Sequence, residues 1–458
     1  MRLTRREVLA GAAAGAIGAT GIYELVDRLT GGSSPPRRAV GKRLAEQHLL
    51  DGVRVVRSEG IEVLVPPLHH EVVTARVTVD PPDRGDAQVS LERVLAGLDG
   101  DYAATPAGLG VTVAWGLPYF ARLVPDAWAR HAPHDLRARK AALLPTLKFP
   151  SDPPETVREE NDVAILVRSD VRAHVDDAVS RLRGSDVLHV TSLRRGFAGG
   201  GFEGARSLPK RMAEAAGVPG ADLIPDTAEL FLGFTSTQRA GMGPGRIANF
   251  ETLGYVDLRG SGYFRHGTHM HLSHVHEDLE AWYLNFDFRE RVDTAFRPNL
   301  RVREEAQTVR QGPRDVSSVG DVHRDFRASG RIGHSASIQT TSRLSRDVVA
   351  GDGTVYAKGT AIPVRADFNT LDNPFYWSER AEEIGETAAA GVHFVVFNPT
   401  SDDFHRNRLA MDGVLPGGKI PFPPRARGQG FNAVLRTSHR QNFLVPPRRR
   451  RSFPLAEL

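Results

Sequence analysis

Between residues 60 and 200 the apolar pattern switches twice from the two-residue period of a strand to the 3.6-residue period of a helix and back, and it does so again between residues 260 and 440. This repetition constrains the fold more than any other property, because each strand–helix–strand unit needs a partner to cover its apolar face. Ile61 to Val79 is β-branched and interrupted at Pro66 and Pro67, so it reads as a strand pair or a broken strand. Ser90 is placed to cap a helix with Leu91, Val94, Leu95 and Leu98 on one face. Leu109 to Trp115 reads as a strand, and a less regular stretch rich in Pro and Arg runs from Pro118 to Glu160. Val163 to Val167 is a buried-type strand, Asp170 can cap a helix with Val171, Val175, Val179 and Leu182 inward, and Val187 to Leu193 is a further strand.

The second half echoes the first. Thr268 to His276 is strand-like, and Asp278 to Phe296 is helical with Leu279, Trp282, Phe286 and Val292 apolar. Thr354 to Phe368 is strand-like around Pro363, and Val392 to Phe397 is a strong strand. Ser401 can cap a helix from Asp402 to Met411, and Phe431 to Leu435 can close the sheet. The expected class is α+β: two ferredoxin-like halves, each an antiparallel sheet with helices packed on one face. The expected division is residues 1–36 as a signal and linker, 50–240 and 241–445 as the halves, and 446–458 as a basic tail, with Arg448 to Arg451 solvated.

The 458 residues are 40% hydrophobic with a net charge of +4, which suffices for a large core and forces no nucleic-acid role. The Pro/Arg-rich stretch also lacks the aromatic interleaving expected of a nucleic-acid platform. There is no cysteine, which excludes disulfides, Fe–S clusters, thiolate-ligated haem and a lipoprotein anchor, and suits an oxidising compartment. Thr4-Arg5-Arg6-Glu7-Val8-Leu9 before an Ala/Gly-rich stretch resembles a twin-arginine export signal. The expected location is periplasmic, extracellular or membrane-anchored, with membrane contact only through an uncleaved N-terminal segment. Gly31 to Pro36 reads as a flexible linker.

Several segments, in order, resemble dye-decolourising (DyP-type) haem peroxidases. They are Val72 to Asp80, Ala104 to Gly116, Leu232 to Thr237, Gly267 to Trp282, Ile332-Gly333-His334, Pro363 to Phe368, and Val392 to Phe397 followed by Asp402 to Arg408. The resemblance implies a haem b in the second half, with hydrogen peroxide and a reducing substrate as partners, and leaves a homo-oligomer open. It implies that His334 is the proximal iron ligand and that Arg365 is the cation on the opposite face; the second N–H of such an imidazole needs a carboxylate or carbonyl, for which Asp402 or Asp403 is a candidate. Arg239 and Arg246 are candidates for the haem propionates. The family's distal Asp falls at Ser236, whose hydroxyl cannot act as a base near neutral pH. Low turnover, sufficiency of Arg365 with water, and a substitute acid such as Asp367 all stay open, as does a haem-binding relative without peroxidase activity.

One other constellation competes. His266, His269, His271, His274 and His276 crowd a single segment. On a strand, His269 and His271 share one face while His274 and His276 share the other, so a His-rich metal-binding secreted protein is the reading outside this class. One of these imidazoles could also replace the missing acid.

Overall fold

The computed structural model describes residues 50–58, 61–135, 139–198, 206–234, 262–301, 317–344, 346–349, 355–356, 358, 362–373 and 388–458. In the first half, β1 (His69–Val77), α1 (Arg84–Asp101), β2 (Gly110–Gly116), β3 (Val163–Ser169), α2 (Arg172–Arg183) and β4 (Leu188–Phe197) follow in sequence. The strands lie in the order β4-β1-β3-β2, all antiparallel, which is the ferredoxin-like order.

The second half contains β5 (Thr268–Glu277), α3 (Leu279–Asn285), α4 (Phe288–Ala295), α5 (Val319–Ser329), α6 (His334–Gln339), β6 (Phe368–Thr370), β7 (Gly391–Asn398), α7 (Ser401–Met411) and β8 (Leu435–Val445). Its order, β6-β7-β5-β8, is the same arrangement.

The two sheets join into a closed barrel. β2 pairs β8 at Trp115↔Leu444 and Gly116↔Phe443, and β4 pairs β6 at Phe197↔Asn369. Strand alternation then separates two cores. Val72, Leu166, Leu272, Val395, Phe397 and Phe443, drawn from both halves, cluster inside the barrel. Val73, Ala75, Val163, Ile165 and Val167 face outward against Leu91, Leu95 and Leu98 of α1 and Val175, Val179 and Leu182 of α2.

Several local expectations change. Helix α1 begins at Arg84, so Ser90 lies within it. The Asp170 carboxylate accepts the backbone N–H of Leu68 instead of capping α2. The long helix expected from Asp278 to Phe296 is two helices, because Asp287 forms a capping box with Glu290 and restarts the chain. Asp278 does cap the first of them, through the amide of Ala281. Thr400, not Ser401, is the N-cap of α7; Ser401 Oγ accepts the amide of Leu144. The sheet-closing strand β8 starts at Leu435, after a 3-10 turn over Gly430–Ala433.

The C-terminal segment is not a solvated tail. Phe453 and Leu455 are fully buried. Trp115 Nε1 donates to the carbonyl of Arg451 (2.8 Å) and the Tyr119 hydroxyl to that of Pro454 (2.9 Å). Arg451 pairs with Glu92 and Asp99 of α1, each at 2.8 Å. The arginine run drew attention from the apolar residues after it, whose burial outweighs the cost of ordering a short segment. Among the described residues no helix is long and apolar enough to cross a membrane.

Candidate functional site

A cavity of about 250 Å³ lies between the outer face of the second sheet and the helices that cover it. Alternation decides which side chains reach it. Ser273, Val275 and Glu277 come from β5, and Val392, Phe394 and Val396 from β7. From β8 come Thr437 and Arg440, three residues apart, because the β5–β8 register shifts between His274 and Val275 and leaves Ser438 as the extra residue. The helical side supplies His334 and Ile338 of α6 and Phe404, Asn407 and Arg408 of α7, while Leu232, Phe234 and Phe431 close the ends.

His334 is the first residue of α6, with Gly333 as N-cap. A Cβ on Gly333 would fall 2.2 Å from the carbonyl oxygen of Phe296, so only glycine allows this approach. On the other side, a Cβ on Gly430, at φ +48°, would fall 3.2 Å from the Cα and Cβ of His334. The backbone is held by Ile332 N–H to Gly428 O (2.7 Å), Gly430 N–H to Ile332 O (2.8 Å) and Ala336 N–H to Phe296 O (3.0 Å). The ring lies 4.6 Å from that of Phe431 and opens on the cavity. Its Nδ1 is buried without a hydrogen-bond partner. Loss of hydration, then the charges of Arg365 and Arg408, push its pKa down to about 3, so the imidazole is neutral and its lone pair free.

The sheet side carries the charged groups. Arg365 sits in a two-residue strand paired with Val396 of β7, so its side chain shares the cavity face, 5.8 Å from the centre of the Phe394 ring. Its Nε donates to Asp367 Oδ1 (2.8 Å) and its terminal nitrogen to Oδ2 (2.5 Å). Glu277 ends β5 and is 8% exposed, with Oε2 buried and unpartnered. Burial and then the charge of Asp367 push its carboxyl up to about 8, against the pull of Arg365. Arg440 is buried, pairs with Asp152 and stacks on Phe149 at 4.7 Å; Arg408 pairs with Asp412 at 3.0 Å.

The cavity thus unites His334 and Arg365 as their positions in the chain suggested. Ser236, Arg239 and Arg246 lie outside the described residues. Asp402 and Asp403 do not stand behind His334: Asp402 binds Lys140 and Arg406, and Asp403 binds Thr400 and Arg406. Asp367 does not line the cavity; it pairs with Arg365 and acts on Glu277 through its charge. Glu277 and the cations Arg408 and Arg440 were missed. Glu277 was legible in principle, being on the face of β5 that already contained His269 and His271.

The structure gives three of those histidines other neighbours. His269 and His271 do share a face, but both hydrogen-bond to Asn442 Oδ1, and His271 is covered by Phe404 at 3.4 Å. His274 is on the opposite face, against His393 at 4.4 Å. Among the described residues no group of three or more His, Cys, Asp or Glu is arranged to hold a metal ion. The packing under α7 likewise keeps His269 and His271 from lining the cavity.

The architecture is similar to that of DyP-type peroxidases. The enzyme from Cellulomonas bogoriensis shares 17% identity with a TM-score of 0.50, over 90% of this chain and 96% of its own. DypB from Rhodococcus jostii RHA1, a variant in complex with heme, gives 12% identity and a TM-score of 0.49 over 84% and 95%. A dye-decolorizing protein from V. cholerae gives 15% and 0.46 over 85% and 96%. The Cellulomonas likeness is one of fold: two ferredoxin-like halves in an α+β chain. No curated protein matches the sequence. The chain belongs to a family of unknown function (DUF7405), whose pattern spans residues 67–447.

Proposed function

We propose that this chain binds haem b in the cavity through His334 and uses it, with hydrogen peroxide, to oxidise a reducing substrate. One observation carries the reading: a neutral imidazole, fixed between two glycines, opens on an apolar cavity whose sheet side bears a cation. The donor chemistry fits, since iron takes an imidazole only when its nitrogen is unprotonated. Absence of cysteine leaves no thiolate ligand and no thioether attachment. Arg408 and Arg440 would hold the carboxylates of the tetrapyrrole. Arg365 would hold fixed positive charge where negative charge develops on a peroxide oxygen. Bound haem supplies the redox chemistry that these side chains lack.

A second reading, haem binding without peroxidase turnover, is favoured by the ion pair of Arg365 with Asp367, which occupies the guanidinium. Titrating the haem-free protein with hemin tests the first step. A Soret band at one haem per chain, lost in His334→Ala, supports the assignment; no such band in the wild type overturns it. Stopped-flow mixing with peroxide then separates the two readings. We further propose export by the twin-arginine route, on the strength of Thr4 to Leu9. An Arg5→Lys/Arg6→Lys pair that is exported as well as the wild type would refute this.

A further inference from the structure

The acid that Ser236 cannot supply has a substitute in the cavity wall. Along β5, positions 273, 275 and 277 share the cavity face, and the last is a carboxyl. Glu277 is 8% exposed and lines the cavity beside an apolar surface. Its backbone N–H is satisfied by the carbonyl of Ala390 (2.9 Å), and it pairs in register with Leu435, so its position is set by the ladder. Its Oε2 has no hydrogen-bond partner. A buried carboxyl oxygen left unpaired costs about 1–3 kcal/mol, and strands seldom retain such a group without a use for it.

We propose that Glu277 is the acid–base residue of this cavity, exchanging a proton at Oε2 with a small ligand bound between His334 and Arg365. The inference rests on the haem reading above. With hydrogen peroxide, the carboxylate takes the proton of one oxygen and returns it to the other. That second oxygen keeps the O–O bonding pair and leaves as water; bound haem would supply the two electrons that the first oxygen then lacks. Arg365 offsets the negative charge that builds on the departing oxygen. The charged and titratable groups facing Glu277 are Asp367 and Arg365 on the sheet side and Tyr283 on α3. Burial opposes ionisation of Glu277 most, Asp367 adds to that and Arg365 favours it, and together they set when the base form is present.

The test uses Glu277→Gln and Glu277→Asp with two readouts. In the haem-free protein, infrared difference spectra across pH should show a protonated-carboxyl band that disappears as pH rises through about 8 and is absent from Glu277→Gln. In the hemin-loaded protein, association of cyanide requires HCN to lose its proton to a base. The expected rate falls roughly 100-fold or more in Glu277→Gln, the usual scale of general acid–base assistance. Glu277→Asp should retain a pH inflection at a lower rate. A Soret band of normal intensity with a cyanide rate within a factor of about two of wild type would overturn the role of Glu277 and leave haem binding intact. No band attributable to Glu277 would also overturn it. Failure of the wild type to bind hemin would sink both.

Discussion

Replacing Glu277 with Gln should stabilise the haem-free protein at alkaline pH. In the unfolded chain this carboxyl ionises near 4.5, whereas in the fold burial holds it protonated up to about 8. Across that interval the unfolded state binds fewer protons, so stability falls as pH rises; the contribution is whole below 4.5 and gone above about 8. At about 1.4 kcal/mol per pH unit, the interval amounts to about 5 kcal/mol. Gln has nearly the same shape and no charge to desolvate, so the variant should lack this slope. Urea unfolding followed by the fluorescence of Trp115 and Trp282, both fully buried, gives stability as a function of pH. The difference between the two proteins cancels every other titrating group. The expected curves lie close together at acid pH and diverge by several kcal/mol in favour of Gln by pH ~8. Parallel curves would show that Glu277 is not held protonated, and would refute the electrostatic account of the cavity.

Gly333→Ala should lower stability by several kcal/mol and abolish hemin binding, because its Cβ meets the Phe296 carbonyl oxygen at 2.2 Å and would move His334; hemin titration and thermal melts check this. Phe453→Ala should cost about 3–5 kcal/mol of unfolding free energy, measured by urea titration, because it empties the space beside Trp115. On the acid side, His70 and His269 are held neutral down to about 3 and His405 down to about 4, mainly by burial. The unfolded state therefore gains protons first, and stability should fall as pH drops below 6.5; His405→Gln should make that fall shallower in the same titration.

Alternation and helical period were enough to find both ferredoxin-like halves, because every barrel strand buries at least one face. The order of those elements also singled out His334 and Arg365, which the fold brings to one cavity. Period two separated His269 and His271 from His274, but it could not show that α7 covers the first pair. Glu277 escaped notice for the same reason: a carboxyl ending a His-rich strand looks like a solvent-facing residue until the covering helices are placed. Arg440 was hidden by the bulge at Ser438, which brings it to the cavity face against the parity of Leu435 and Thr437. The caps at Ser90, Asp170 and Ser401 failed because short polar side chains have several nearby backbone partners, and tertiary contacts chose others.

The burial of Phe453 and Leu455 against Trp115 and Tyr119 has a bearing on biosynthesis. Residues more than 300 positions downstream thus finish the core of the half that is synthesised first. β8 likewise reaches back to β2, so the barrel cannot close until nearly the whole chain is made. The N-terminal half must therefore wait, with its apolar face open, until β8 and the segment through Leu455 have been made. Apolar surface on the first half stays uncovered during synthesis until strands from the second half arrive.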